Sequence, residues 1–252
     1  MNRLLAVAAA SLFLAGSAAA QTPPPLTFPE PVQTLPGGTD YAAVLASPLR
    51  TDEDRARDAV RMTEQTLRFT GVQPGWKVGD MIMGGGYFTR AFSAAVGPGG
   101  HVVAWQPAEF IGFQASYGEA ADAADRLPNV DVIRSPIGAP EFPAGLDLVF
   151  TAQNYHDLHL APFATDTAAK VNAAVFEALR PGGWYVVIDH HAVDGSDLSA
   201  ADTLHRIDRA AVVREVEAAA LWNDDDPRTA NVFDESIRGR TSQFMIAFQK
   251  PE

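Results

Sequence analysis

The sequence of 252 residues contains no cysteine. This absence excludes disulfide bonds, thiol nucleophiles and cysteine-ligated metal sites, so the fold depends on its apolar core. Basic residues are also scarce, since 19 Lys and Arg stand against 31 Asp and Glu, for a formal net charge of -12. Binding to a phosphate backbone needs clustered basic side chains, so we expect no nucleic-acid partner.

Long apolar runs are missing after the first twenty residues. The segment Met1–Ala20 has Arg3 near its start, then an apolar stretch from Leu4 to Ala15, and ends in three alanines. This is the layout of a secretory signal, and the stretch is shorter than the roughly 20 residues that span a bilayer. We therefore predict a signal peptide over residues 1–20, cleavage after Ala20, and a periplasmic or secreted protein without membrane insertion after signal removal.

The rest of the chain divides into a lead-in and one domain. Residues 21–50 begin with a proline-rich stretch without apolar periodicity, which predicts an extended linker. Residues 51–252 alternate between short apolar runs and amphipathic segments. This alternation predicts an α/β domain with a mostly parallel sheet and helices on both faces. The predicted strands are Trp76–Ile82, His101–Trp105, Val130–Ile133, Leu146–Thr151, Trp184–Asp189 and Gln243–Gln249.

Helices are predicted between these strands and before the first one. The first begins with a cap at Thr51 and runs to about Phe69, with Arg61 off its apolar face. The other predicted helices are Tyr87–Val96, one within Phe110–Arg126, Ala168–Leu179, and one capped by Asp208 that runs to about Leu221.

Three successive glycines, Gly84, Gly85 and Gly86, lie between the first strand and its helix. Glycine permits positive φ and lets a ligand approach the backbone, and the helix N-terminus offers free N–H groups. Thr89 stands where a dinucleotide-binding fingerprint has its third glycine, which disfavours a nicotinamide cofactor. A tight turn that binds nothing is the structural alternative.

Three motifs in order resemble the class I S-adenosylmethionine (SAM)-dependent methyltransferases. Asp80 with the glycine turn resembles their motif I, Leu146–Phe150 their fourth strand, and Leu179–Gly183 the turn before their fifth strand. Asn154–His156, Asp189–Ala192 and the closing segment after Gly239 further resemble an exported, poorly characterised branch of that superfamily. The resemblance implies a Rossmann-like fold with an antiparallel last strand, and SAM as cofactor. It implies that Asp80, Gly84 and Gly86 bind the cofactor, and we predict that Gly85, Gln106 and Asn154 do so as well. For Asn154, orienting a substrate or completing the hydrogen bonds of its loop are the alternatives.

The sequence departs from the family pattern at four places. Ile82 replaces the first glycine of the turn, and Gln106 replaces the acidic residue that holds the ribose, with Glu109 as a nearby substitute. Ser135–Ile137 occupies the position of an aspartate near the adenine, and the segment after Leu221 is too short for the usual sixth strand. We therefore expect the strand that is sixth in the family pattern, before the antiparallel last strand, to be missing or shortened.

Histidines follow the fourth and fifth predicted strands. His156 and His159 come after the fourth, and Asp189 and His190 end the fifth, so they should meet near the glycine turn. We predict that His156 and His190 are catalytic, with histidine as a general base. A zinc site of His156, His159 and an aspartate, or histidines that only form structural hydrogen bonds, are the alternatives. Our prediction includes no metal, and places His101 and His205 at surface or packing positions.

Three functions are consistent with these features. The first is methyl transfer from SAM to a small-molecule acceptor, which the sequence does not identify. The second is a non-catalytic, methyltransferase-like ligand-binding protein in the periplasm. The third is a metal-dependent hydrolase that uses the histidines. The oligomeric state is not predicted.

Overall fold

The computed structural model describes residues 38–219 and 243–252. The predicted signal peptide, the proline-rich part of the lead-in and the segment that follows Leu221 lie outside these residues. The helices are α1 Tyr41–Leu45, α2 Asp52–Arg61, α3 Thr63–Thr70, α4 Tyr87–Val96, α5 Ala108–Phe113, α6 Ala115–Ala124, α7 Thr167–Ala178, α8 Ser199–Leu204 and α9 Arg209–Ala219. The strands are β1 Lys77–Met81, β2 His101–Trp105, β3 Val130–Ile133, β4 Leu146–Ala152, β5 Leu179–His190 and β6 Gln243–Gln249, with a 3₁₀ turn at His156–His159.

The six strands form one sheet in the order β3-β2-β1-β4-β5-β6. Strands β1 to β5 are parallel, and β6 pairs antiparallel with β5. This confirms the predicted α/β fold class and its antiparallel last strand. The chain order reverses between β1 and β4, and ligands of open α/β sheets bind at such a switch point, outside the carboxyl ends of the strands.

Helices cover both faces of the sheet, because the central strands are apolar on both sides. In β4, Leu148 and Phe150 belong to one buried cluster and Val149 to the other, as the alternation of side chains along a strand requires. The rings of Phe88 and Phe92 on α4 lie 4.8 and 5.0 Å from that of Phe150. These contacts fix α4, and with it the glycine turn, on the sheet.

The helical part of the lead-in packs on the domain. Tyr41 and Val44 are buried in the core, and the Thr39 hydroxyl donates to the carbonyl oxygen of Val72 at 2.6 Å. Thr51 caps α2 as predicted, in a reciprocal arrangement with Asp54. Residues 38–50 therefore pack against the same core as the helices that follow.

Two predicted helices are each interrupted. The helix from Thr51 breaks at Met62, which has a left-handed φ of 47°, and the helix within Phe110–Arg126 breaks at Gln114, which is extended. The predicted turn before the fifth strand lies inside β5, where Gly182 has a φ of 71° and the pairing with β4 shifts register. In the described part of the chain, no helix is long and apolar enough to cross a membrane.

Candidate functional site

The glycine turn leaves β1 at the carboxyl edge of the sheet. Ile82, Gly84 and Gly86 all have positive φ, at 59°, 53° and 74°. Ile82 thus adopts the backbone conformation for which the family pattern uses glycine, at a cost of roughly 1–2 kcal/mol for an L-residue. Its side chain is buried, and its carbonyl oxygen accepts a hydrogen bond from Nδ2 of Asn154 at 2.9 Å. The core and Asn154 together hold the turn in this shape.

The space above the turn is open. A Cβ atom at Gly84 or Gly85 would meet no heavy atom of the described residues within 4 Å. At Gly86 it would lie 2.9 Å from Nη1 of Arg90, whose flexible side chain could shift, so the φ of 74° is the feature that favours glycine there. Gly84 and Gly85 therefore leave room for a ligand beside the N-terminus of α4.

Asp80 lies beneath the turn and is buried. Its Oδ2 accepts a hydrogen bond of 2.5 Å from the hydroxyl of Thr89, in the first turn of α4. Burial raises the pKa of Asp80 to about 6, against the opposing effect of that hydrogen bond. The carboxylate thus supports the helix N-terminus from below, where the helix dipole favours negative charge.

Gln106 follows β2 at the same edge of the sheet. It is fully buried, yet neither its Nε2 nor its Oε1 has a hydrogen-bond partner among the described residues. The Oγ of Ser135, after β3, is buried and unpartnered in the same way. Glu109, the expected substitute, accepts a hydrogen bond from the backbone N–H of Ile137 at 2.9 Å. Because buried polar groups are nearly always hydrogen-bonded, the two orphaned side chains fit a site for a polar ligand.

His156 and Asp189 join the ends of β4 and β5. Nδ1 of His156 lies 2.8 Å from Oδ1 of Asp189, and the His156 backbone N–H donates to Oδ2 at 2.7 Å. Nε2 of His156 faces Oδ1 of Asp157 at 3.3 Å. Burial alone would lower the pKa of His156, but the hydrogen bond and charge of Asp189 and the charge of Asp157 raise it.

His190 lies beside this pair, with its ring centre 6.4 Å from that of His156. Burial lowers its pKa, the negative charge of Asp189 opposes this, and the positive charges of His156, Arg206 and Arg61 add to the lowering. A neutral imidazole at this edge of the sheet can accept a proton. The structure thus brings the two predicted catalytic histidines together at the carboxyl edge of the sheet.

The other histidines have different surroundings. Nε2 of His159 lies 3.0 Å from Oε2 of Glu215, so His159 does not join His156 in the zinc arrangement considered above. His101 lies 3.0 Å from Asp131, where β2 begins. His205 is exposed but packs edge-on against His156, with ring centres 5.5 Å apart.

Arg61 is a site residue that the sequence did not indicate. It is the last residue of α2, and its guanidinium carbon lies 4.8 and 5.9 Å from the ring centres of Tyr87 and Phe88. Its positive charge lowers the pKa of both Asp80 and His190, so it lies within electrostatic range of the glycine turn and of the histidines. The apolar periodicity placed Arg61 off the apolar face of one long helix. No sequence signal indicated that its side chain would lie near the glycine turn.

No family model and no curated protein matches the chain. Its structure is similar to a SAM-dependent methyltransferase from Aquifex aeolicus, with a TM-score of 0.55, 18% identity, and coverage of 83% of this chain and 98% of that one. It is also similar to the N-methyltransferase NodS from Bradyrhizobium japonicum, with a TM-score of 0.52, 15% identity, and coverage of 79% and 99%. A third similar structure is a possible exported protein from Bordetella parapertussis, with a TM-score of 0.50, 16% identity, and coverage of 78% and 68%.

These similarities establish the class of fold. The chain has the Rossmann-like fold of the class I SAM-dependent methyltransferases, over almost the full length of the Aquifex enzyme.

Proposed function

We propose that this protein binds SAM and transfers its methyl group to a small-molecule acceptor. The observation that carries the proposal is the open space above Gly84, at the carboxyl end of β1 and at the switch point of the sheet. The fold supports it, because the chain superposes on SAM-dependent methyltransferases.

The chain's own residues fit the cofactor. The turn at Gly84 and Gly85 would hold the methionine and ribose portions, with the N–H groups of α4 nearby. The buried amide of Gln106 would bond the ribose hydroxyls, which can both donate to its Oε1 and accept from its Nε2. Asp80 supports the turn from beneath, and Asn154 supports it from the segment that follows β4. SAM supplies an electrophilic methyl group on a sulfonium.

The acceptor would lie at the ends of β4 and β5, beside the histidines. Methyl transfer is an in-line displacement, so the protein mainly aligns donor and acceptor. Where the acceptor must lose a proton, His190 would take it as a general base. His156 is held by Asp189 and would position this side of the site.

Titration of the protein with SAM in an isothermal calorimeter tests the proposal. We expect saturable binding by the unaltered chain and none by Gly84→Val, because the new side chain would fill the open space. Gly145→Val is the matched control, since Gly145 has a φ of 86° and equally open surroundings before β4. Both substitutions should cost about 1–3 kcal/mol of stability, through the same left-handed strain.

Two results would refute the proposal. The first is the absence of any binding by the unaltered chain at millimolar SAM. The second is an unchanged SAM affinity in Gly84→Val, which would show that the turn does not hold the cofactor.

A non-catalytic ligand-binding protein with this fold is the second candidate. The observation that favours it is the neutral Gln106 at the ribose position, because an amide gives weaker hydrogen bonds than a carboxylate. Such a protein would bind SAM or a related nucleoside without producing S-adenosylhomocysteine in the presence of any acceptor. Product analysis by mass spectrometry therefore separates the two candidates.

We also propose that the protein is exported. The support is the layout of residues 1–20, with a basic start, a short apolar stretch and three terminal alanines. The mature protein, isolated from the periplasm or the medium, should begin at Gln21 by intact mass. A chain that retains Met1 in the cytoplasm would refute export.

A further inference from the structure

A group of polar side chains that includes His156 lies beside the proposed acceptor site and reaches the protein surface. One ligand atom from each of His156, Asp157 and His205 lies within 4.8 Å of the other two. The side chains of His156 and Asp157 are 4% and 15% exposed, and that of His205 is 65% exposed. The group is therefore anchored in the core and open on one side.

The spacing of these atoms suits a small cation. Zinc ligands at about 2.0–2.1 Å around a tetrahedral ion are about 3.4 Å apart from one another. Nε2 of His156 lies 3.3 Å from Oδ1 of Asp157, and Nδ1 of His205 lies 3.9 Å from the same oxygen. Nδ1 of His205 would have to approach Asp157 by about half an ångström, which the exposed position of His205 allows.

The hydrogen bonds around His156 leave its Nε2 facing an acceptor. Asp189 accepts at Oδ1 from Nδ1 of His156, and its other oxygen is held by the His156 backbone N–H. In a neutral imidazole with its proton on Nδ1, the lone pair on Nε2 points toward the carboxylate of Asp157. Two lone pairs 3.3 Å apart repel each other unless a proton or a metal ion lies between them.

The contact with Asp189 also has the form of a metal site's outer support. Histidines that bind metals usually donate their other ring N–H to a carboxylate, which fixes the tautomer and strengthens the ligand. Asp189 is fully buried at the end of β5 and provides this contact for His156.

We propose that His156, Asp157 and His205 bind a divalent cation of the zinc type, with Asp189 as the supporting carboxylate. Three protein ligands leave the fourth tetrahedral position open, as in zinc sites that bind an external ligand. That position would take an oxygen or nitrogen lone pair from water or from a molecule bound at the ends of β4 and β5. This inference goes beyond the proposed methyl transfer and does not depend on it.

One other group of this kind occurs in the part of the chain that the structure describes. It consists of His191, Asp194 and Asp208. Both carboxylate oxygens of Asp208 accept backbone hydrogen bonds, one from Gly195 and one from Ala210, so this aspartate is committed to its turn and to the start of α9. Among the described residues, the ligand atoms of the group at His156 contact one another and form no hydrogen bond outside the group.

The test measures metal binding without SAM. The chelator-treated full chain is dialysed against Zn²⁺ in slight molar excess, and the bound metal is counted by elemental analysis. Co²⁺ serves as a probe whose visible absorption reports a tetrahedral site. We expect one Zn²⁺ per chain and an intense visible Co²⁺ band. His205→Ala should weaken Zn²⁺ binding at least tenfold and abolish the band, and Asp189→Asn should weaken binding about 10–100-fold.

His101→Ala is the matched control, because His101 also contacts one aspartate but lies where β2 begins. It should leave the Zn²⁺ affinity and the Co²⁺ band unchanged. His205 is exposed, so its removal should leave the fold intact by circular dichroism even if Asp189→Asn unfolds the chain. Less than a stoichiometric amount of bound Zn²⁺, or equal affinity in His205→Ala and the unaltered chain, would overturn the proposal. SAM binding is measured separately, so either proposal can fail without the other.

Discussion

Replacing Asp80 by asparagine should change how stability depends on pH. The carboxyl group is buried under the glycine turn, and burial raises its pKa from 3.8 to about 6, despite the hydrogen bond from Thr89. A raised pKa means that the folded chain holds this proton more tightly than the unfolded chain. The stabilisation is fully present below the unfolded pKa and is lost as the pH rises through the folded pKa.

The size of the effect follows from the shift of about two units. At 1.36 kcal/mol per unit, Asp80 should remove about 3 kcal/mol from the free energy of unfolding as the pH rises from about 4 to about 7. Asp80→Asn has no proton to lose there. Its stability relative to the unaltered chain should therefore improve by up to about 3 kcal/mol over the same interval.

Urea unfolding of both proteins at a series of pH values measures this difference. Subtracting the two curves cancels groups common to both, including Asp157, whose pKa burial also raises to about 6. The constant cost of the altered hydrogen bond to Thr89 shifts the difference curve without changing its slope. Parallel stability curves between pH 4 and pH 7 would refute the reasoning, because Asp80 would then titrate alike in both states.

Three further substitutions test the polar contacts of the fold and the site. Asp58→Ala should cost about 3–5 kcal/mol in urea unfolding, because it leaves the fully buried guanidinium of Arg50 without its ion pair. Glu64→Ala, which breaks an exposed ion pair with Arg68, should cost at most about 0.5 kcal/mol, and equal losses would contradict the argument. Gln106→Leu should stabilise the ligand-free protein by about 1–3 kcal/mol, since it removes a buried unpartnered amide, and should weaken SAM binding by calorimetry. Destabilisation by Gln106→Leu would show that the amide already has a partner.

The strands and the glycine turn were predictable because their signals are local. A short apolar run such as Leu146–Thr151 predicts a strand that is buried on both faces, and β4 is such a strand. The three glycines predicted a turn between β1 and α4, and Gly84 and Gly86 have the positive φ that the prediction required. The prediction of a signal peptide over residues 1–20 falls outside the described residues. The same holds for the prediction that the family's sixth strand is missing or shortened, because it concerns the segment after Leu221.

The helix breaks were not predictable, because neither break falls at a residue type that commonly ends a helix, such as glycine or proline. Met62 takes a left-handed conformation that methionine seldom adopts, and Gln114 is extended between two amphipathic helices. The break at Met62 ends α2 at Arg61, whose guanidinium lies over Tyr87 at the glycine turn. The sequence did not indicate Arg61 as a site residue, because it did not predict the break at Met62 that places it there.

The histidine site was predictable only in part. The positions of His156 and His190 after two parallel strands predicted that they would meet, and they do. The approach of His205 to His156 depends on the path of the chain after β5, where no periodic pattern exists to interpret. For the same reason, the partner of His159 proved to be Glu215 on α9, which the sequence did not suggest.

The left-handed conformation of Ile82 has a consequence for ligand affinity. A glycine at this position would sample many backbone conformations in the free protein, and a ligand would have to select one of them at an entropic cost. Ile82 instead buries its side chain in the core cluster that also contains Met81, Trp105 and Val149. The loop is thereby preorganised, since the loss of backbone freedom occurs once during folding and is not repeated at each binding event.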